Sequence, residues 1–183
     1  MYQQISQTRI TLTSLKVAAF ASEETWCFEA KVCLDGKAIA NAHNSGTGGC
    51  TFILAMDGKD KLLEEAEAFA KSLPDLVSDF KDPQTGTNML LSVDLEMLVD
   101  CIVTDMQHEK KLRARFKREY PKKLLYVKND ALYAINGVDI SKTKDQAAMF
   151  AGCREHNGKD IIILAELPEA KAWELYQKTM GTK

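Results

Sequence analysis

The stretch WCFEAKVCLDGKAIANAHN, residues 26–44, decides the fold class. In it Trp26, Phe28, Ala30, Val32 and Leu34 alternate with Cys27, Glu29, Lys31 and Cys33. Side chains along a strand point alternately to its two faces, so this pattern is a strand with one buried face. Asp35-Gly36 follows, a pair that suits a two-residue hairpin turn because both positions tolerate positive φ. Residues 37–44 then return as the partner strand. A two-residue loop pairs Leu34 with Lys37. Strict continuation pairs Val32 with Ile39, Ala30 with Asn41, Phe28 with His43 and Cys27 with Asn44. On that register Asn41 and His43 share the Phe28/Val32 face, and Asn44 shares the Cys27 face.

Working outward, an earlier strand is expected within residues 10–20 and a later one at 51–56, completing an antiparallel meander. Leu62, Leu63, Ala66, Phe69, Ala70 and Leu73 recur at helical spacing and Pro74 stops the run. Residues 75–92, with DPQTGTN inside them, read as a loop, either an internal boundary or a mobile segment. Leu95, Leu98, Val99, Ile102 and Met106 mark a second helix that continues toward Tyr120. Its apolar stripe runs into Glu109 and Arg113, so the helix is expected to leave the core there. Residues 124–127 and 131–135 form a hairpin around Asn129-Asp130. Thr143 with Gln146 has the spacing of a capping box opening a helix. A buried strand at 161–164 and a closing helix after Pro168 complete the chain. The expected fold is a single α+β domain over residues 1–183, with an N-terminal antiparallel β-meander packed with helices and a mixed αβ C-terminal part.

Composition agrees with a globular chain. The 183 residues are 45% hydrophobic and 27% charged, ordinary values for a soluble fold. Gly 10 and Pro 4 exclude a collagenous or low-complexity chain. With Lys+Arg 24 against Asp+Glu 26, a uniformly basic nucleic-acid coat is excluded, while a local basic patch is not. No signal-peptide pattern opens the sequence, and no stretch nears the roughly 18 apolar residues that span a bilayer. A cytoplasmic protein with no membrane partner is expected, in the host cytoplasm if the chain is phage-encoded. Cys27, Cys33, Cys50, Cys101 and Cys153 make no C-x-x-C pair, and their scatter argues for free thiols and against a disulfide framework. Nothing in the spacing of the cysteines with His43, His108 and His156 supports a metal site, and no cofactor is indicated.

Two constellations stand out. Continuing the hairpin outward brings Ser22-Glu23-Glu24-Thr25 beside Asn44-Ser45-Gly46-Thr47-Gly48-Gly49. Glycines let backbone approach a ligand closely, and successive N–H groups can form an anion nest. Glu23 and Glu24 can hold a ribose hydroxyl, an amine or a cation. SGTGG is neither a P-loop nor a dinucleotide fingerprint, and a plain glycine-rich turn with solvated glutamates is the other reading. The candidate ligand-binding residues are Ser22, Glu23, Glu24, Thr25, Asn44, Thr47, Gly48 and Gly49, and a small nucleotide or phosphorylated compound is the candidate ligand.

The elements ASEETWCFEA (residues 21–30), LDGK (34–37) and NSGTGGC (44–50) resemble the opening of a family of small uncharacterised bacteriophage and prophage proteins. The resemblance covers about the first third of the chain, and S-E-E-T and N-x-G-x-G-G are its most specific parts. It implies a phage accessory role with no known reaction, and a genuine site at the S-E-E-T/glycine junction.

The second constellation is charge. Lys110, Lys111, Arg113, Arg115, Lys117, Arg118, Lys122 and Lys123 are opposed only by Glu119. That is a net +7 within fourteen residues, leaving −9 on the rest of a chain whose total is −2. Such asymmetry suits a partner bearing phosphates or carboxylates. Phe116 and Tyr120, interleaved with the basic residues, are candidates for stacking on bases. A solvated basic helix end is the alternative, since cations are favourable at a helix C-terminus. The preferred function is non-catalytic: a phage accessory protein that binds and modulates a host protein or nucleic-acid complex through this anion-seeking segment. Nucleotide binding or processing at the glycine junction is the alternative.

Overall fold

The meander forms as the alternation requires. The computed structural model describes residues 5–180. Strands β1 (Ile10–Val17), β2 (Phe28–Leu34), β3 (Lys37–Asn44) and β4 (Phe52–Ala55) make one antiparallel sheet in the order β1-β2-β3-β4. Asp35 and Gly36 turn the chain with φ of 47° and 79°, the left-handed values a two-residue hairpin demands. One face of the sheet, with Ile10, Leu12, Phe28, Ala30, Val32, Ala40 and Ala42, is buried. Against that core pack helix α1 (Asp60–Lys71), through Ala66 and Ala70, and the start of helix α2 (Leu95–Glu119), through Leu98, Val99 and Val103.

The register departs from strict continuation by one residue. Leu34 pairs with Lys37 and Cys33 with Ala38, but Val32 pairs with Ala40, Ala30 with Ala42 and Phe28 with Asn44. Ile39 is the extra residue of a β-bulge, and it lets both Ile39 and Ala40 bury completely. A one-residue slip exchanges the two faces of a strand. Asn44 therefore lies on the Phe28 face, and Asn41 and His43 lie on the open face with Lys31 and Glu29. This corrects the expectation for all three residues.

Residues 75–92 are also corrected. They contain a two-stranded hairpin, β5 (Leu76–Lys81) with β6 (Asn88–Leu91), closed by a turn in which Asp82 accepts from the amides of Gln84 and Thr85. Its apolar residues Val77, Phe80 and Leu90 are largely exposed, so no clean alternation announces the strands.

The described residues form two compact units, the first ending at Gln107 and the second beginning at His108, inside α2 rather than in residues 75–92. In the second unit α2 does not leave the core, contrary to expectation. Leu112 and Phe116 are buried with Leu125, Val127, Leu164 and Tyr176. Strands β7 (Leu124–Lys128) and β8 (Ala131–Ile135) turn through Asn129 and Asp130, both at positive φ, and β9 (Ile162–Ile163) pairs on the other side of β7. As the central strand, β7 sends Leu125 and Val127 into one cluster and Leu124 and Tyr126 into another, with Phe150 and Ile163. Helix α3 (Gln146–Asn157) is capped by Asp145, whose side chain accepts from the Ala148 amide. The expected Thr143 cap is thus displaced by a residue closer to the helix. Helix α4 (Glu169–Met180) closes the unit. All five cysteines are free thiols. No helix among the described residues is long and apolar enough to cross a membrane.

Candidate functional site

The two constellations expected from the sequence lie one in each unit. In the first unit the S-E-E-T segment folds onto the glycine loop through backbone. The Gly46 carbonyl accepts from the amides of Glu23, Glu24 and Thr25 at 2.9, 3.1 and 3.3 Å. Gly46 must be glycine: its φ is 89°, and a Cβ there would stand 2.2 Å from the Ala21 carbonyl oxygen. The Ser22 hydroxyl donates to the Ala18 carbonyl and accepts from the Cys27 amide. Gly48 lies under the Glu24 carboxylate.

Asn44 is the hub. At 2% exposure a side-chain amide must find all its partners inside the protein, and Asn44 does. Its oxygen accepts from the Thr25 hydroxyl at 3.0 Å and the Gly46 amide at 2.8 Å. Its nitrogen donates to the Gly49 carbonyl and to Thr51 Oγ1, both at 3.0 Å. Thr51 in turn donates to Asp100 of α2. Burial pushes the Asp100 carboxyl up, the Thr51 hydrogen bond opposes this, and the charge of Asp94 adds to it.

Ser22, Glu23, Glu24, Thr25 and Trp26 line a cleft of about 370 Å³ with Asp100 and Thr104. Asp100 and Thr104 also face a neighbouring cavity with Cys50, Asp94 and Cys101. The structure thus brings together Ser22, Glu23, Glu24, Thr25, Asn44, Gly48 and Gly49, while Thr47 is exposed and, among the described residues, bonds only Ser45. The Gly46 and Gly48 amides are engaged within the protein, by Asn44 and Thr25, so they offer no anion nest. Carboxylates dominate the cleft wall, which suits amines and hydroxyls better than phosphate. Thr51 and Asp100 escaped the sequence reading. The available signal was an aspartate interrupting the apolar run LVDCIV at 98–103.

In the second unit the basic segment divides by role. Arg113 stacks on the Trp173 ring at 4.5 Å. Arg115 and Lys123 pair with Glu119 at 3.3 and 3.0 Å, and the Tyr176 hydroxyl donates to the same carboxylate. Burial alone would raise the Glu119 carboxyl, but Lys123, Arg115 and Tyr176 outweigh it and hold it below the usual range. Tyr176 is pushed up to about 12 by burial and by Glu119. Lys110, Lys111, Lys117, Arg118 and Lys122 are exposed. Lys110 with Lys117, and Lys111 with Arg118, are seven residues apart on α2, so they line one side of it. Phe116 is fully buried against Tyr120, Trp173 and Tyr176, and the Tyr120 hydroxyl donates to the Leu167 carbonyl. These two rings belong to the core, which removes them as base-stacking groups.

Compared with protein-family models, curated proteins and solved structures, the chain finds no match.

Proposed function

We propose that the protein is a non-catalytic binding protein whose partner presents an anionic surface to the exposed basic stripe of α2. The observation that supports this reading is the sorting of the eight cations. Arg113, Arg115 and Lys123 are engaged by Trp173 and Glu119, and the other five are exposed within a short span. A stripe of like charge raises the local concentration of an oppositely charged partner and speeds association. The resemblance of the N-terminal third to phage proteins makes a host nucleic-acid complex, or a host protein with an acidic face, the fitting target, with a phage accessory role for the chain.

The test is capture from host lysate by the wild type and by the Lys110→Glu/Lys117→Glu/Arg118→Glu variant. Capture should be lost with the variant and should weaken steeply with salt. Equal capture by both proteins rejects the reading.

A second reading, favoured by the cleft beside Ser22–Trp26, places a small ligand at the glycine junction. Its carboxylates suit the hydroxyls or amines of a nucleoside rather than its phosphates. A rise in melting temperature with nucleoside, abolished by Glu23→Lys/Glu24→Lys, would support it.

A further inference from the structure

We propose that the open face of the N-terminal sheet is a binding platform for single-stranded nucleic acid, with Phe52 and His43 stacking a base and Lys16 and Lys31 holding its phosphates. The proposal goes beyond the α2 stripe and does not depend on it.

The register determines what this face presents. Across the four strands run two rows: Thr13, Lys31, Asn41 and Leu54, then Lys16, Glu29, His43 and Phe52. Two bulges put these residues there. In β1 the pairing skips between Thr13 and Lys16, with Ser14 at φ 53°, so Lys16 comes onto the open face. In β3 the bulge at Ile39 moves Asn41 and His43 to the same side. Bulges re-aim side chains in this way.

The face is exposed and is built for planar ligands. Phe52 is 64% exposed. It lies parallel to His43, with ring centroids 5.2 Å apart and 15° between planes. Two flat rings held in register on a rigid sheet form a stacking surface of the kind unstacked bases occupy. Beside His43 a groove of about 510 Å³ is lined by Ser14, Lys16, Glu29, Lys31 and Asn41, within the size range of small-ligand pockets, about 300–1,000 Å³.

Charge selects the occupant. Two lysines flank the groove, and Glu29 is its one carboxylate among the described residues, set directly across from Lys16. Phosphates fit the lysines. Asn41 and Glu29 offer an amide and a carboxylate to base edges. A duplex keeps its bases stacked and cannot present them to Phe52, so the platform discriminates for single strands.

The test uses the full chain and a short, labelled, mixed-sequence oligonucleotide, as single-stranded DNA, as RNA of the same sequence and as duplex DNA, read by fluorescence anisotropy. Phe52→Thr keeps strand propensity, and Lys31→Glu reverses an exposed charge, so both should fold, as circular dichroism will check. The wild type should prefer single strands to duplex. Phe52→Thr should weaken single-strand binding roughly tenfold with little change in its salt dependence, the signature of lost stacking. Lys31→Glu should weaken it and flatten the salt dependence. The Lys110→Glu/Lys117→Glu/Arg118→Glu variant should keep the preference for single strands, which separates this platform from the α2 stripe. The DNA and RNA arms show which backbone is taken. Wild-type protein that fails to bind, or that binds duplex equally well, overturns the proposal. So do Phe52→Thr and Lys31→Glu variants that bind like the wild type.

Discussion

Thr51 donates its hydroxyl to the Asp100 carboxylate, and that bond ties the exit of the glycine loop to helix α2. Behind it stands Asn44, with four hydrogen bonds to Thr25, Gly46, Gly49 and Thr51. Removing one member of a buried network strands the others without partners. Asn44→Ala should therefore destabilise the protein by at least about 2 kcal/mol, measured by urea unfolding. Thr51→Val, nearly equal in shape, should also destabilise it.

Asp100 provides a pH signature. Its carboxyl is raised in the folded state, first by burial. A group raised on folding favours the native state below its unfolded pKa and loses that contribution as pH rises through the folded value. Asp100→Asn can still accept from Thr51 and carries no charge. The variant should match the wild type in acid and become relatively more stable toward neutral pH. Melting temperatures across that range check the sign.

Two glycines at positive φ should respond differently to alanine. At Gly36 a Cβ meets nothing within 4 Å, so Gly36→Ala should cost only the left-handed backbone penalty, about 1–2 kcal/mol. At Gly46 the Cβ would collide with the Ala21 carbonyl and with Cys27, at 2.2 and 2.8 Å. Gly46→Ala should cost several times as much and open the junction, as parallel thermal melts will show.

Glu119 has the opposite pH sign to Asp100. Its carboxyl is held low, against the effect of burial, by Lys123, Arg115 and Tyr176. Its contribution is present above the unfolded pKa and is lost as pH falls through the depressed folded value. Glu119→Gln should cost roughly 2 kcal/mol at neutral pH and should reduce the loss of stability on acidification.

The basic segment should divide in stability as it divides in structure. Lys110→Glu/Lys117→Glu/Arg118→Glu alters exposed side chains and should leave the melting temperature nearly unchanged. Arg113→Glu/Arg115→Glu breaks the stack on Trp173 and sets a second carboxylate beside Glu119. That pair should lower it clearly.

The meander, α1 and the β7–β8 hairpin were legible because their signals are local: alternation, Asp-Gly, and apolar residues at helical spacing before Pro74. The face assignments of Asn41, His43 and Asn44 were not. A bulge changes no composition, and the extra residue, Ile39, is as apolar as its neighbours. The β5–β6 hairpin was missed because Val77, Phe80 and Leu90 do not alternate with polar residues around a buried face. The stripe of α2 misled because its buried residues change phase, from Val99 and Val103 to Leu112 and Phe116. The junction was found despite the register error, since a one-residue slip hardly moves loops at the hairpin's open end. Asp100 was hidden because its partner, Thr51, lies 49 residues away.

The three amides gathered on the Gly46 carbonyl have a consequence for how the S-E-E-T segment can vary. Main-chain atoms make those bonds, so the architecture constrains the path of residues 23–25. It engages the side chains of Ser22 and Thr25, but it leaves those of Glu23 and Glu24 exposed. Folding sets no requirement for acid at either position. In a library randomised at residues 22–25, selection for folding alone should retain Ser22 and Thr25 and let both glutamates drift. Retention of Glu23 and Glu24 under selection for activity would then report what the junction touches, free of any contribution from stability.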